Sequence, residues 1–286
     1  MSFSDGQAIM WVDGDLVPAG QATIPALDHG LTVGDGVFEA VKVRGGKAFA
    51  LRPHLARMAR SAAGLRLPFP GEQAVDQACQ AVLNANASLL VNSMAILRIT
   101  LTAGVGEVGS GRISGASPRL LITLTHHAPR PPTTSCITVP WQRNTHGALT
   151  GLKTTSYAEN ALALAMAREA NATEALFANS EGQLCEGTGS NVFLVLDGRL
   201  LTPPLSDGLL GGITRQLVLD WSNAVEESVP MQALFEASEV FLTSTGRDVQ
   251  GVTAIDSKPV SDAALGPVTA QVAQVFAEGE AKFDDS

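Results

Sequence analysis

The sequence predicts a mixed α/β (α+β) fold in two domains, and three observations lead to that prediction. The chain has 286 residues, more than one average domain needs, and 45% of them are hydrophobic, which suffices for a sizeable core. Segments with period-two alternation are interspersed with segments of helical spacing. A proline-rich stretch of small polar residues, 126–135, predicts a linker between a smaller domain, 1–125, and a larger one, 136–286.

The smaller domain begins with strands, continues with two helices and ends with strands. Alternating segments that meet at a turn predict hairpins, and apolar residues three and four positions apart predict helices. The predicted strands are AIMWV, DLVP, GVFEAVKV, AFALR, SMAILRITLTAG and PRLLITLTHH, and the predicted helices are HLARMARSAAGLRL and EQAVDQACQAVLNANASLL.

The larger domain alternates strands and helices by the same criteria. Its predicted strands are CITVPW, EALFAN, NVFLVL and EVFLTS, and its predicted helices are TSYAENALALAMAREANA, ITRQLVLDWSNAV and GPVTAQVAQVFAEGEAKF. An Asp-Gly pair after NVFLVL predicts a hairpin turn.

Composition excludes several classes of function. With 28 acidic and 19 basic residues, the net charge of −9 argues against a nucleic-acid or polybasic membrane surface. The three cysteines are far apart, and no spacing of cysteine and histidine indicates a metal site. We see neither a signal peptide nor an apolar run of membrane-spanning length, so we expect a cytoplasmic protein.

Lys153 is the only lysine between Lys47 and Lys258. It lies among apolar residues at a predicted strand-to-helix junction, where desolvation would lower its pKa and free its amine as a nucleophile for a Schiff base. The alternative is an ordinary surface lysine. Glu186, in the glycine-rich segment CEGTGSNVF, can pair with a protonated heterocyclic nitrogen, or it can be a solvated loop residue.

Two turns and one arginine suit an anion. GGITR places Ile213 and Thr214 at a helix start, where free N–H groups favour phosphate, although Thr214 can instead serve as a simple cap. TSTGRD offers hydroxyl and N–H donors around Thr245, and Arg57 has the fork that matches phosphate. His54 is expected to be structural. A nucleophilic lysine, a carboxylate and a phosphate cup together are what pyridoxal phosphate needs.

The segments GDGVFEAVKV, RPHLARM, LRITLTAG, LKTTSYAENALA, EGTGSNVF, GGITR and FLTSTGRDV occur in this order. In these motifs the chain resembles the class IV, fold-type IV pyridoxal-phosphate enzymes. That family includes branched-chain and D-amino-acid aminotransferases, (R)-amine transaminases and aminodeoxychorismate lyases. The resemblance implies a small α/β domain and a larger, barrel-like α/β domain with the cofactor between them, and a homodimer.

The resemblance also implies roles for individual residues. Lys153 matches the lysine that bonds to the cofactor and shuttles the proton, and Glu186 matches the carboxylate on the pyridine nitrogen. The remaining matches form the phosphate cup, the ring face and the contact with the ring hydroxyl. They are Arg57, Ile213, Thr214 and Thr245 for the phosphate, Leu210 for the ring face, and Tyr157 or Asn160 for the hydroxyl.

The substrate pocket departs from each branch of the family. GDGVFEAVKV is most similar to the D-amino-acid branch, but Phe38 replaces its tyrosine, and the loop after LTAG lacks its arginine and histidine. Ala40 stands where the lyases have threonine. The candidates for holding a substrate carboxylate are Arg98, which matches an arginine of branched-chain enzymes, and Arg247, next to Gly246.

We therefore predict a transaminase that moves an amino group between an amino acid or primary amine and a keto acid, favouring D-amino acids or (R)-amines. The alternatives are an aminodeoxychorismate lyase, which forms 4-aminobenzoate and pyruvate, and a cofactor-binding protein without turnover. No metal is expected.

Overall fold

The computed structural model describes residues 6–260 and 265–285, and the chain divides into two units. The first unit runs to Pro129 and also includes Leu152–Tyr157 and the tail from Asp284. The division after Pro129 falls inside the predicted linker, 126–135. The sequence does not predict that Leu152–Tyr157 belongs to the first unit. The composition of this segment does not differ from that of the residues on either side.

The second unit consists of Arg130–Gly151 and Ala158–Phe283. The predicted linker is longer than the connection in the structure, because one strand continues to His126 and the next begins at Thr133. The small polar residues Thr133, Thr134 and Ser135, which follow the prolines, thus begin a strand whose backbone groups pair with those of a neighbouring strand.

Six strands of the first unit form one antiparallel sheet. They are β1 (Ile9–Val12), β2 (Asp15–Pro18), β3 (Gly36–Arg44), β4 (Lys47–Ala48), β5 (Met94–Thr102) and β6 (Arg119–His126), in the order β2-β1-β6-β5-β3-β4. The helices of the described part of this unit are α1 (His29–Thr32), α2 (Leu51–Gly64), α3 (Glu72–Ala85) and α4 (Ala87–Leu90).

Strand β3 separates two environments. It pairs with β5 along its whole length, from Gly36 opposite Thr102 to Arg44 opposite Met94. Successive side chains of a strand point to opposite faces. Val37, Val41 and Val43 therefore share one face, which packs in the apolar core with α2 and α3. Phe38 and Ala40 lie on the other face.

The predicted second helix is interrupted at Asn86. The Asn86 side chain accepts a hydrogen bond from the Ile9 amide and donates to the Ile9 carbonyl, both at 2.8 Å. It also donates to the carbonyl of Val82 at 2.7 Å. These bonds tie the end of α3 to β1 and explain why α4 is a separate turn.

The predicted strand AFALR is shorter than expected because α2 begins within it. Ala50 adopts a left-handed conformation (φ 54°) and the helix follows at Leu51. The Leu51 amide donates to the Asp285 carboxylate at 2.5 Å. An acceptor at a helix start satisfies an amide that the helix leaves unpaired. Here the acceptor comes from the far end of the chain, so local sequence does not reveal it.

The second unit contains strands β7 to β15 and helices α5 to α7. The strands are β7 (Thr133–Arg143), β8 (Glu174–Asn179), β9 (Leu184–Gly187), β10 (Asn191–Leu196), β11 (Arg199–Thr202), β12 (Val225–Glu226), β13 (Glu239–Ser244), β14 (Asp248–Ile255) and β15 (Lys258–Pro259). The helices are α5 (Ala158–Glu169), α6 (Ile213–Trp221) and α7 (Pro267–Lys282).

The sheet of the second unit is mixed and curls on itself. Its order is β12-β11-β10-β13-β14-β7-β8-β9, and β15 pairs with β14. The chain passes from β9 to β10 through three residues, so the two ends of a six-strand run lie next to each other. Leu176, Leu242 and Val252 belong to its buried apolar core. Helices α6 and α7 pack together through Trp221 and Phe276, whose ring centroids are 5.6 Å apart.

Within the described residues, no helix combines the length and the apolar character that crossing a membrane requires.

Candidate active site

The backbone on both sides of Lys153 is held by the first unit. The Phe38 amide donates to the Lys153 carbonyl at 3.0 Å, and the Lys153 amide donates to Ser61 Oγ at 3.1 Å. Thr154 forms a bridge with Val37, and the Thr155 amide donates to the Gly36 carbonyl at 2.8 Å. The segment is therefore an added piece of strand beside β3, and α5 begins only at Ala158 instead of at Thr155 as predicted.

The Lys153 amine lies among aromatic rings. Its Nζ atom is 4.4 Å from the centroid of the Phe38 ring and 5.8 Å from that of Tyr157. The two rings contact each other edge to face, with centroids 5.2 Å apart. Ring faces attract cations and also restrict water. The structure thus brings together three residues that the sequence indicated as candidates.

Arg98 joins this group from the neighbouring strand. Its Cζ atom is 3.8 Å from the centroid of the Phe38 ring, and in the register of β3 and β5 it lies opposite Ala40. Arg98 is exposed, but partial desolvation lowers its pKa, and the neighbouring Tyr157 opposes that shift. Its normal pKa is so high that the guanidinium stays charged at neutral pH. The same ring therefore carries an amine and a guanidinium.

Arg57 is bound to a carboxylate that the sequence did not single out. Its Nε atom donates to Glu39 Oε1 at 2.8 Å, and its Nη2 atom donates to Glu39 Oε2 at 2.6 Å. His54 Nδ1 lies 2.7 Å from Glu39 Oε2, so the partner of this histidine is a side chain. Period-two alternation would have placed Glu39 on the apolar face of its strand, and a charge there requires a partner.

In the second unit, Glu186 is held on β9. Its Oε2 atom accepts a hydrogen bond from the Leu210 amide at 2.9 Å, and its Oε1 atom lies 3.4 Å from Arg143 Nε. The Arg143 guanidinium lies over the ring of Phe177, 3.9 Å from its centroid. Leu210, which the resemblance assigns to the ring face, thus orients the carboxylate through its backbone amide. Arg143 was missed because it lies at the end of β7, on the far side of β8 from β9, and the sequence alone does not show this order of strands.

The Asn160 side chain is hydrogen-bonded within the second unit, to the turn between β9 and β10 and to Arg143. Its amide nitrogen donates to the Thr188 carbonyl, and its oxygen accepts from Arg143 Nη1 at 3.1 Å. Arg143 Nη1 also donates to Glu159 at 2.6 Å. Of the two residues predicted for the ring hydroxyl, Asn160 is therefore engaged inside the second unit, and Tyr157 lies beside Lys153 in the first.

The start of α6 carries no side-chain cap. The N-cap residue is Gly212, which has no side chain to accept from the first-turn amides of Ile213 and Thr214, so Thr214 is not the cap. A Cβ atom on Gly212 would stand 2.0 Å from Asn191 Oδ1. Asn191 Nδ2 donates to the Leu210 carbonyl at 2.8 Å and so shapes the approach to this helix.

Asn191 also links the two turns that were predicted to bind an anion. It begins β10 and lies opposite Thr243 of β13. The turn with Thr245 and Gly246 follows directly after β13. The structure thus brings the TSTGRD turn near the start of α6, as one phosphate cup requires.

Arg247 is engaged elsewhere. Its guanidinium donates to the Thr173 carbonyl at 2.8 Å, to Thr173 Oγ1 at 3.2 Å and to Gln250 Oε1 at 2.5 Å, and it lies 3.5 Å from Glu174. The side chain is 6% exposed. The prediction that Arg247 holds a substrate carboxylate is therefore not supported by these contacts, and Arg98 is the better candidate.

Comparison with known proteins identifies the family. The model of the amino-transferase class IV family matches residues 36–255, so the chain belongs to that family. A putative branched-chain-amino-acid aminotransferase of Methanocaldococcus jannaschii is 30% identical and covers 96% of this chain and 97% of its own length. A D-alanine aminotransferase of Listeria innocua is 31% identical, with coverages of 93% and 94%.

Solved structures agree with this family. A branched-chain aminotransferase from Thermoproteus uzoniensis with norvaline has a TM-score of 0.87 at 27% identity, covering 96% of this chain and 95% of its own. A second branched-chain amino acid aminotransferase, complexed with N-(5'-phosphopyridoxyl)-L-glutamate, has a TM-score of 0.87 at 26% identity, with coverages of 97% and 95%. The chain is a fold-type IV aminotransferase and an enzyme whose cofactor is pyridoxal 5'-phosphate.

The side chains fit this cofactor in chemistry. The first unit offers the amine of Lys153 and a buried arginine, and the second offers a fixed carboxylate and a helix start without a side-chain cap. No cluster of metal-ligating side chains occurs in residues 6–260 and 265–285.

Proposed function

We propose that Lys153 is the catalytic residue. Its Nζ atom bonds to the cofactor and later moves the proton between the substrate and the cofactor. When bound, pyridoxal phosphate supplies an aldehyde for this amine and a ring that withdraws electrons. The contacts of Nζ with Phe38 and Tyr157 support this role, because they place the amine among other residues that we assign to the site.

We propose further roles for the cofactor-binding residues. Glu186 holds the proton on the pyridine nitrogen, and the Leu210 amide keeps its carboxylate in place. Tyr157 binds the ring hydroxyl, which is consistent with its place next to Lys153. The phosphate is bound by the guanidinium of Arg57 and the hydroxyl of Thr245. At the start of α6, the backbone amides of Ile213 and Thr214 also donate to it.

We infer that the substrate is an α-amino acid whose carboxylate binds Arg98. The single observation that carries this proposal is that the Lys153 amine and the Arg98 guanidinium contact the same Phe38 ring. In an amino acid the carboxylate is one bond from the carbon that exchanges the proton. A cation close to the catalytic amine is therefore where that carboxylate is needed. We also assign Ala40 and Gly246 to the substrate, because their segments GDGVFEAVKV and FLTSTGRDV carry the family resemblance.

We propose D-amino acids as the preferred amino donors. The motif GDGVFEAVKV and the D-alanine aminotransferase relative support this preference, whereas the branched-chain structure complexed with an L-glutamate derivative supports L-amino acids. (R)-amines are the second candidate, because Phe38 provides an apolar ring where the D-amino-acid branch carries tyrosine.

The test follows the absorption spectrum of the purified holoenzyme after adding one donor without a keto acid. D-alanine should replace the visible band of the lysine-bound cofactor by the shorter-wavelength pyridoxamine band, and pyruvate should restore it. L-leucine and (R)-1-phenylethylamine are the parallel donors. Conversion by L-leucine but not D-alanine would contradict the D-preference. Formation of 4-aminobenzoate from aminodeoxychorismate, without conversion by any donor, would indicate the lyase.

We propose that the enzyme is a homodimer. Apolar side chains of the first unit are exposed on two segments that contact each other: the Gly106 amide donates to the Leu27 carbonyl at 3.1 Å, and Asp28 forms a bridge with Val105. Large exposed apolar patches mark protein interfaces. The residues of this apolar surface are Ile24, Leu27, Leu31, Val33, Val105 and Val108.

A further inference from the structure

Glu39 is a fully buried carboxylate to which the proposed reaction assigns no role. It lies on β3 between Phe38 and Ala40, but on the opposite face, toward α2. His54 and Arg57 are three residues apart on α2, so they lie on the same side of that helix. Both contact the Glu39 carboxylate.

The carboxylate is ionised despite its burial. Burial alone would raise its pKa, but the charge and the hydrogen bonds of Arg57, together with those of His54, lower the pKa to about 2. Burial also lowers the pKa of His54, against the effect of Glu39, so this ring is neutral at neutral pH. Since a carboxylate only accepts, His54 donates from Nδ1 and acts as a second anchor for Glu39.

The contact fixes the plane of the Arg57 guanidinium. Two of its nitrogens, Nε and Nη2, are bonded to the two oxygens of Glu39 at 2.8 and 2.6 Å. Such a bidentate pair stops rotation about the bond to Nε and determines where Nη1 points. It also balances the charge of this buried arginine, because a buried charge is costly unless it is paired and hydrogen-bonded.

We propose that Glu39 is a positioning residue that holds the Arg57 guanidinium in the orientation in which it receives the cofactor phosphate. This inference rests on the proposed function, in which Arg57 binds that phosphate. It goes further because it makes the affinity for the phosphate group depend on a residue that does not itself touch the cofactor. A group that only filled the core would not need a charge, since buried ion pairs are replaceable by apolar side chains.

The test compares the dissociation constants of pyridoxal and pyridoxal 5'-phosphate, which differ only in the phosphate, measured by titration of the apoenzyme. The dissociation constant of pyridoxal divided by that of pyridoxal 5'-phosphate reports how much the phosphate contributes to binding. Glu39→Gln keeps the size but exchanges an acceptor oxygen for a donor. We expect it to lower this ratio by at least about tenfold, the usual effect of losing a group that orients a binding residue. Glu39→Asp, which keeps the charge, should retain part of the ratio.

Arg57→Met and the double variant complete the design. Arg57→Met should lower the ratio at least as much, and adding Glu39→Gln to it should cause no further loss. If Glu39→Gln weakens both ligands equally, Glu39 only stabilises the fold and the inference is overturned. If Arg57→Met leaves the ratio unchanged, the proposed phosphate site itself is wrong. Thermal unfolding of each apoenzyme shows which variants are folded. If Glu39→Gln does not fold, Glu39→Asp takes its place in the comparison of the two dissociation constants.

Discussion

At the scale of the residue, the Phe38 ring contacts three of the residues that we assign to the site in the first unit. Its ring is contacted by the Lys153 amine, the Arg98 guanidinium and the edge of Tyr157. A ring without a hydroxyl cannot hold a carboxylate by hydrogen bonding, and we therefore propose that Arg98 holds the substrate carboxylate. The negatively polarised face of the ring instead packs against the Arg98 guanidinium, and the ring also contacts the Lys153 amine.

Arg98→Met tests this division of roles. Loss of a hydrogen-bonded charge partner costs about 1.5–3 kcal/mol, so we expect the dissociation constant for D-alanine in the first half-reaction to rise about tenfold to a hundredfold. The constant for (R)-1-phenylethylamine, which has no carboxylate, should not rise. Stopped-flow spectra measure both. Arg60→Met, at an exposed position of α2, is the control, and an equal effect on both donors would refute the assignment.

The residues recognisable from sequence are those whose chemistry is rare in their surroundings. Lys153 stood out as a single lysine in a long stretch, and Glu186 as a carboxylate among glycines. Glu39, Arg143 and Asn191 were missed because each acts through a partner distant in the chain. A strand pattern could have flagged Glu39, but only the fold shows that α2 supplies its partners.

At the scale of the element, we propose that the start of α6 and the turn after β13 form one anion-binding region of the second unit. Asn191 connects them, since it lies opposite Thr243 and its side-chain amide holds the Leu210 carbonyl. The absence of a side-chain cap on α6 leaves the dipole and the first-turn amides for a ligand.

Gly212→Ala tests this arrangement. The added Cβ would stand 2.0 Å from Asn191 Oδ1, so Asn191 or the start of α6 must shift. A displacement of about 1 Å at such a site typically costs on the order of a hundredfold in function, and we expect a loss of pyridoxal-phosphate affinity of at least tenfold. Titration of the apoenzyme measures it. Gly20→Ala, where a Cβ meets nothing within 4 Å, should bind as the wild type does; unchanged affinity in Gly212→Ala would count against this phosphate site.

The predicted elements were confirmed in type more often than in length. GVFEAVKV and GPVTAQVAQVFAEGEAKF correspond to β3 and α7. The helix around Lys153 starts later than predicted because Ser156 and Thr155 donate to Gly34 and Gly36 instead of continuing a helix. Such tertiary competition for backbone groups is not encoded in local periodicity.

At the scale of the whole molecule, the apolar surface of the first unit predicts self-association. Leu31 is 61% exposed and Val108 is 94% exposed. Leu31→Asp introduces a charge that a buried interface would not tolerate, so sedimentation should show the wild type as a dimer and this variant as a monomer. Val91→Asp, which alters a side chain that is 68% exposed outside this surface, should remain dimeric. A monomeric wild type at micromolar concentration would contradict the proposal.

The most direct test of the central claim is to locate the covalent bond between enzyme and cofactor. Borohydride reduction of the holoenzyme, followed by peptide mass spectrometry, should find the reduced cofactor on Lys153 alone among the five lysines of the chain. Lys153→Ala should carry no adduct, whereas Lys258→Ala should label as the wild type does. An adduct on Lys42 or any other lysine, or labelling that persists in Lys153→Ala, would contradict the assignment of Lys153 as the catalytic residue.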